Sequence, residues 1–276
     1  MSVNFAKMHS LGNDFVVIDL ITQAVKIGMA EIKRLADRHF GIGCDQVILV
    51  EPPIRGNADF YYRIFNANGQ EVEQCGNGAR CAARFFYENK FTNQRTLIAD
   101  CLAGSLECLI EENKTVTLNM GSPIFEPEKI PFLSDEQMLL YPIHIENTPL
   151  EMSVLSMGNP HAIIQVQHFD PKWIKKIGPL LSRHTVFPNE ANIGFMEIID
   201  RSQIYLRTYE RGVGETHACG SNACAAVVAG IKQGLLDDEV TVQYQTGFLK
   251  VRLDADNHVH LTGPATHVFT GQFYFH

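Results

Sequence analysis

Two short stretches that echo one another constrain this chain more than its composition does. Glu73-Gln-Cys75-Gly-Asn-Gly-Ala79 and His217-Ala-Cys219-Gly-Ser-Asn-Ala223 each set a cysteine and a glycine before an Ala-rich, helix-favouring run, residues 80–87 and 224–232. The two cysteines, at 75 and 219, stand 144 residues apart, just over half the chain. The correspondence extends upstream. Arg63-Ile-Phe-Asn66 aligns with Arg207-Thr-Tyr-Glu210, and Leu11-Gly-Asn13 with Met157-Gly-Asn159. Such a repeat predicts two similar lobes, each offering one cysteine at the mouth of a helix.

The residues between these landmarks read mostly as strands. Residues 4–9, 15–19, 46–51 and 59–66 are β-branched or alternating runs bounded by turns, and residues 29–38 place Ile32, Leu35 and Ala36 at helical spacing. Short β-like runs follow at 95–99, 104–111 and 115–119. A Pro-rich stretch from Gly121 sits at the midpoint of the repeat and marks the lobe boundary near Asn119. Residues 150–156, 162–166, 192–199 and 203–209 then replay the strands, with a helix over 173–181. The tail, 265–275, alternates as a last strand and is assigned to the first lobe. The expected division is therefore 1–119 with 264–276, carrying Cys75, and 120–263, carrying Cys219.

With 276 residues the chain can bury two modest cores. A formal net charge of −8 provides no basic surface for nucleic acid or an anionic membrane, so neither is expected as a partner. No apolar run reaches the length of a signal peptide or of a span of about 18 residues, which predicts a cytoplasmic protein. Seven cysteines, an odd number in a chain too long to need staples, are expected as free thiols. No His pair at ligand spacing adjoins Cys75 or Cys219, so no metal is expected.

A helix amino terminus stabilises a thiolate through its unpaired N–H groups and dipole. The glycines beside each cysteine let a carboxylate approach the same N–H groups. One such cysteine would read as a nucleophile or, taken singly, as a small packed residue. Two on opposed lobes predict a cleft in which a small anion lies between two sulfurs. One sulfur can then remove a proton from a carbon while the other returns one to the opposite face. That is racemisation or epimerisation by two bases, with the carbanion's charge spread into a carboxylate held by N–H donors and with no cofactor needed. A Cys-His hydrolase, with His161 or His217 as base, remains a second reading, and a non-catalytic amino-acid binder a third.

Six motifs in order closely resemble the diaminopimelate epimerase family. They are Asn4-Phe-Ala-Lys-Met-His-Ser-Leu-Gly-Asn-Asp-Phe15, Gly41-Ile-Gly-Cys-Asp-Gln46, Arg63-Ile-Phe-Asn66, Gln74-Cys-Gly-Asn-Gly-Ala-Arg80, Met157-Gly-Asn-Pro-His161 and Tyr209-Glu-Arg-Gly-Val-Gly-Glu-Thr-His-Ala-Cys-Gly-Ser221. The resemblance implies an α/β (α+β) fold of two pseudosymmetric lobes, each a curved, mostly antiparallel sheet around a central helix. It implies a cofactor-independent isomerase that interconverts LL- and meso-diaminopimelate for lysine and peptidoglycan synthesis. By position, Cys75 and Cys219 would be the acid/base thiols, and His161 and Glu210 would tune their pKa values. Gly76, Asn77, Gly220 and Ser221 would hold the carboxylate at the reacting centre. Asn13, Gln46, Asn66, Asn159, Asn192, Glu210 and Arg211 would recognise the rest of the substrate.

The resemblance also implies a homodimer, with Phe269 standing where many members carry a tyrosine at the dimer contact. Three further departures are Asn222 for a glycine, Cys44 for an aromatic residue and His217 for a neutral residue. A protonated His217 would be expected to lower the pKa of Cys219. The reading that runs closest within the same fold is a proline or hydroxyproline racemase.

Overall fold

The computed structural model of the protein describes residues 1–146 and 148–275. Its chain divides into two compact units, Met1–Asn119 with the carboxy-terminal segment from Thr262, and Met120–Leu261. The described residues form a mixed α+β fold, mostly sheet with four α-helices.

The first unit runs β1 (Ser2–Ser10), β2 (Asn13–Asp19), α1 (Met29–Ala36), β3 (Gln46–Glu51), β4 (Phe60–Asn66) and β5 (Glu71–Val72). It continues through α2 (Gly76–Glu88), β6 (Thr96–Cys101), β7 (Gly104–Ile110) and β8 (Val116–Asn119). The pairs β1–β2, β3–β4, β4–β5, β6–β7 and β7–β8 are antiparallel, whereas β2–β3 and β4–β6 are parallel. Each parallel pair is joined by a crossover containing a helix, as parallel pairing requires.

The sequence of β3, Gln-Val-Ile-Leu-Val-Glu, is apolar throughout because both of its faces are covered. On one side Val47 and Leu49 join Val16, Ile18 and the α1 residues Ile32 and Leu35 in a single core. On the other, Ile48 with Phe15 and Ile64 meets α2, so closely that a Cβ on Gly78 would lie 2.7 Å from Ile64 Cδ1. Helix α2 packs against β1, β2, β3, β6, β7 and β8, so the sheet curves around it. Its small residues, Gly78, Ala79, Cys81, Ala82 and Ala83, let the strands approach on all sides.

The second unit contains a 3-10 turn, Pro127–Lys129, then β9 (Tyr141–Ile145), β10 (Thr148–Ser156), β11 (Pro160–Gln165), α3 (Pro171–Ser182), β12 (Asn192–Asp200) and β13 (Gln203–Glu210). It continues with β14 (Gly214–Thr216), α4 (Gly220–Lys232), β15 (Glu239–Tyr244), β16 (Gly247–Leu253) and β17 (Val259–Gly263), within which the chain passes back to the first unit. The sense of pairing repeats that of the first unit. The pairs β10–β11, β12–β13, β13–β14 and β15–β16 are antiparallel, and β11–β12 and β13–β15 are parallel. Helix α4 packs against β10, β11, β12, β13, β15 and β16, and it is buried from Asn222 to Gly230. Helix α3 covers the opposite face, with Ile174, Ile177 and Leu181 packed among Ile164, Ile193 and Phe195.

Each unit also gains one more antiparallel strand at the same place. In the second unit β9 lies on β10, while in the first the final strand, β18 (Thr266–Tyr274), lies on β1.

Both central helices begin earlier than their Ala-rich runs, immediately after the cysteines, because glycine and small polar residues are tolerated in a first turn that still lacks intrahelical acceptors. Strands β5 and β14 are not among the strands read from the sequence; at two and three residues they are too short to show alternation. Strands β9, β15, β16 and β17 are further elements beyond those read from the sequence.

Gly41 makes the connection from α1 to β3 possible. A Cβ there would sit 1.9 Å from the Arg34 carbonyl oxygen and 2.8 Å from that of Asp37. Neither backbone atom can rotate away. Gly41→Ala should cost about 1–3 kcal/mol, read as a melting temperature roughly 2–4 °C lower per kcal/mol. An unchanged melting curve would show that this loop is not so constrained.

Candidate active site

Cys75 and Cys219 occupy the same place in their units, the N-cap of the buried central helix. Both backbones are extended, with φ −146° and ψ 116° at Cys75 and φ −128° and ψ 120° at Cys219. The first helical bonds run from Ala79 N–H to the Cys75 carbonyl at 2.8 Å and from Ala223 N–H to the Cys219 carbonyl at 3.0 Å. The amides of Gly76, Asn77, Gly220 and Ser221 therefore precede the first intrahelical acceptor. Two such amides at a positive helix end form an anion cradle beside each sulfur.

In the first unit, Asn13 opens β2 and reaches the cysteine. Its Oδ1 lies 3.8 Å from Cys75 Sγ and accepts from Asn77 Nδ2 at 3.3 Å, while its Nδ2 donates to Asp45 Oδ2 at 3.1 Å. Gln46 at the start of β3 pairs across the ladder with Asn66 at the end of β4, and Gln46 Nε2 donates to Asn66 Oδ1 at 2.9 Å. Because β2 and β3 are parallel and β4 runs back, Asn13, Gln46 and Asn66 share one end of the sheet. Gln46 Oε1 is buried without a hydrogen-bond partner, an acceptor left for a donor from outside the protein.

In the second unit the corresponding end gathers Asn159, His161, Asn192, Glu210 and Arg211. His161 is fully buried, and its Nε2 is 2.8 Å from Asn159 Oδ1. Burial, helped by the nearby Arg211 charge, pushes its pKa down to about 3, so the imidazole is neutral at ordinary pH. With Nε2–H donated to Asn159, the buried Nδ1 keeps its lone pair and has no partner. Asn192 pairs with His161 across the parallel ladder, accepts at Oδ1 from the Arg211 N–H at 3.0 Å, and donates to the Pro160 carbonyl at 3.4 Å.

Cys219 is buried, and burial followed by the neighbouring Glu210 charge lifts its pKa well above the ordinary thiol value. Ser221 Oγ at 3.4 Å and the Asn222 N–H act in the opposite direction. Burial also raises Glu210, whose hydrogen bonds from Thr216 and Cys219 partly offset it. The Cys219 S–H thus has a carboxylate as acceptor. The exposed His217 is not among the chief groups acting on Cys219, so the effect expected of its charge gives way to burial and Glu210.

Four residues without a role in the sequence reading hold this arrangement. Arg80, fully buried, donates to Ser10 Oγ at 2.7 Å and to Asn77 Oδ1 at 2.5 Å. Asp45 holds Asn13, Thr216 holds Glu210, and Tyr244 Oη donates to the Cys219 carbonyl at 2.9 Å. Asp45, Arg80 and Thr216 lie inside recognisable motifs and were open to notice. Tyr244 lies on β15, far from any motif, and only the fold brings it to Cys219. Phe269, on β18, is 48% exposed and sets its ring edge-on to Phe5 at 5.9 Å.

A sequence model of the diaminopimelate epimerase family matches residues 5–126 and 153–268. A diaminopimelate epimerase from Nitrosomonas europaea is 50% identical over 272 residues, covering 98% of this chain and 98% of that protein. One from Nitrosospira multiformis is 46% identical over 273 residues, covering 99% and 98%. Among solved structures, a hydroxyproline epimerase from Agrobacterium vitis shares the fold with a TM-score of 0.70 at 15% identity, over 98% of this chain and 92% of that one. Near-complete coverage at half identity, with the motif cysteines at matched helix starts, leaves one conclusion: the chain belongs to the diaminopimelate epimerase family.

Proposed function

We propose that this protein is an isomerase that interconverts LL- and meso-2,6-diaminopimelate, with Cys75 and Cys219 as its two acid/base thiols. The observation that carries this reading is the placement of one cysteine at the N-cap of each buried central helix, in units of matching strand order. One sulfur, as thiolate, takes the α-proton; the opposite thiol gives its proton to the other face of the carbon. Between the two transfers the electron pair resides in the carboxylate as an enediolate. The amides of Gly76, Asn77, Gly220 and Ser221 stabilise that charge more as it grows.

Glu210 accepts from the Cys219 thiol, and His161 keeps a neutral ring beside this site, so a proton can leave the sulfur without a second positive charge being buried. The remaining polar residues suit a two-headed amino acid. Gln46 Oε1 and the Asn13, Asn66, Asn159 and Asn192 amides offer fixed acceptors and donors, and Arg211 a cation for the distal carboxylate. The seven free cysteines, six of them buried, fit a reducing compartment, and the cytoplasm is the proposed location. No helix among the described residues is long and apolar enough to cross a membrane. Val268, Phe269 and Tyr274 expose an apolar strip on β18, which we assign to a homodimer contact.

Cys75→Ser and Cys219→Ser should each lower kcat by about 10²–10⁴ without changing the melting curve, since a hydroxyl is a far weaker acid and base than a thiol. Near-normal turnover in either variant would sink the two-thiol mechanism. Incubated with LL-diaminopimelate in D2O, the reduced protein should remove the α-proton NMR signal and form the meso isomer, leaving L-proline in a parallel tube untouched. Exchange on proline alone would replace the substrate, and exchange on neither would end the isomerase reading. For the assembly, Phe269→Glu should shift sedimentation from dimer to monomer; a dimer unaffected by that charge would place the contact elsewhere.

A further inference from the structure

Cys75 faces a side-chain amide whose orientation is decided by two charged residues away from the sulfur. At the interior end stands the buried Arg80, which donates from Nη2 to Asn77 Oδ1. A guanidinium can only donate, so the Asn77 oxygen must face it. That leaves Asn77 Nδ2 to donate to Asn13 Oδ1. At the outer end the Asp45 carboxylate, which can only accept, requires Asn13 to turn Nδ2 toward it. The two ends impose the same direction on the chain Arg80, Asn77, Asn13, Asp45, so neither amide can flip without opposing donor to donor or acceptor to acceptor.

The outer end is itself anchored. Arg38 Nη2 lies 2.8 Å from Asp45 Oδ1 and 2.8 Å from Asp14 Oδ1, and the Asp14 N–H donates to Asp45 Oδ2 at 3.2 Å. Lys7 Nζ lies 2.5 Å from Asp14 Oδ2. Against the upward push of burial, the Arg38 and Lys7 donors hold the Asp14 carboxyl well below the usual carboxylate range. The Asp14 carboxylate therefore stays ionised over the range in which a thiol titrates.

We infer that Arg80 and Asp45 are positioning residues which, through Asn77 and Asn13, present Cys75 with the acceptor face of an amide and so favour its S–H form in the unliganded protein. An acceptor stabilises S–H and offers nothing to a thiolate, opposing the pull of the helix amino terminus. The catalytic meaning of this inference rests on the role proposed above for Cys75. Its geometry and its test do not.

The test is the pH dependence of Cys75 alkylation by iodoacetamide, quantified by peptide mass spectrometry with no substrate present. The other six cysteines are buried, so Cys75 reports first. Tyr62 and Cys81 lie within electrostatic reach of Cys75, but burial holds Tyr62 well above its ordinary value and pushes Cys81 up to about 12, so neither titrates in this range. In Asp45→Asn the anionic acceptor that fixes the outer end is lost, and only the 3.3 Å bond from Asn77 Nδ2 still opposes a turn of the Asn13 NH2 toward the sulfur. The alkylation midpoint should then fall by about one pH unit, making labelling below the midpoint about tenfold faster.

Asp45→Glu, which restores an acceptor, should keep the wild-type curve. In an Asn13→Ala background the Asp45→Asn change should add little, because the relay is already cut. An equal shift with and without Asn13 would assign the effect to the charge of Asp45 alone and overturn the inference, as would an unmoved midpoint in Asp45→Asn. Because labelling needs no turnover, a protein inactive on diaminopimelate would still give a readable answer.

Discussion

The burial of α2 and α4 inside their own curved sheets is the constraint on which the rest depends. A helix surrounded by strands must be built of small residues, and Gly78 against Ile64 shows how little room remains. At the partly enclosed helix start the first N–H groups still lack intrahelical acceptors and stand beside the cysteine. The cysteine sits at the one position of such a helix where the backbone is still extended and the dipole is already felt. Packing and chemistry are thus one requirement seen from two ends.

Similar frames surround the two sulfurs with different electrostatics. Around Cys219 the neighbours are desolvated: an imidazole that stays uncharged, and a Glu210 carboxyl and a thiol both raised by burial. Around Cys75 the charged residues stand at a remove, Arg80 inside and the Lys7, Asp14, Arg38 and Asp45 cluster outside, acting through amides.

Much of this was legible in the chain. The strands at 15–19 and 46–51 and the helix beginning at Met29 announce themselves because their burial is periodic or complete. The cysteines announce themselves because their flanking turns recur. What the sequence conceals depends on distance along the chain. Strand β14 exists only because Gly214 and Thr216 find partners on β13, and Tyr244 matters only because the fold carries it to the Cys219 carbonyl. The neutrality of His161 is equally hidden, since it follows from complete burial, and the sequence shows only a histidine after a proline. At Cys219 the sequence likewise hides which influences lead: His217 is exposed, whereas burial and Glu210 are the largest.

The pairing of β18 with β1 has a consequence for the order of events on the ribosome. Strand β1 leaves the exit tunnel before β2 to β17, yet the strand that lies along it, from Ser2 opposite Tyr274 to His9 opposite Thr266, is synthesised after all of them. Throughout elongation Val3 and Phe5 therefore lie along an edge whose main-chain donors and acceptors await a partner, an adhesive state for any neighbouring nascent chain. The second unit, Met120–Leu261, is contiguous and needs nothing still to be translated once its last residue has emerged. Assembly thus runs against the direction of synthesis, and the unit whose strands are made earlier is the one that must wait for a strand made after the other unit.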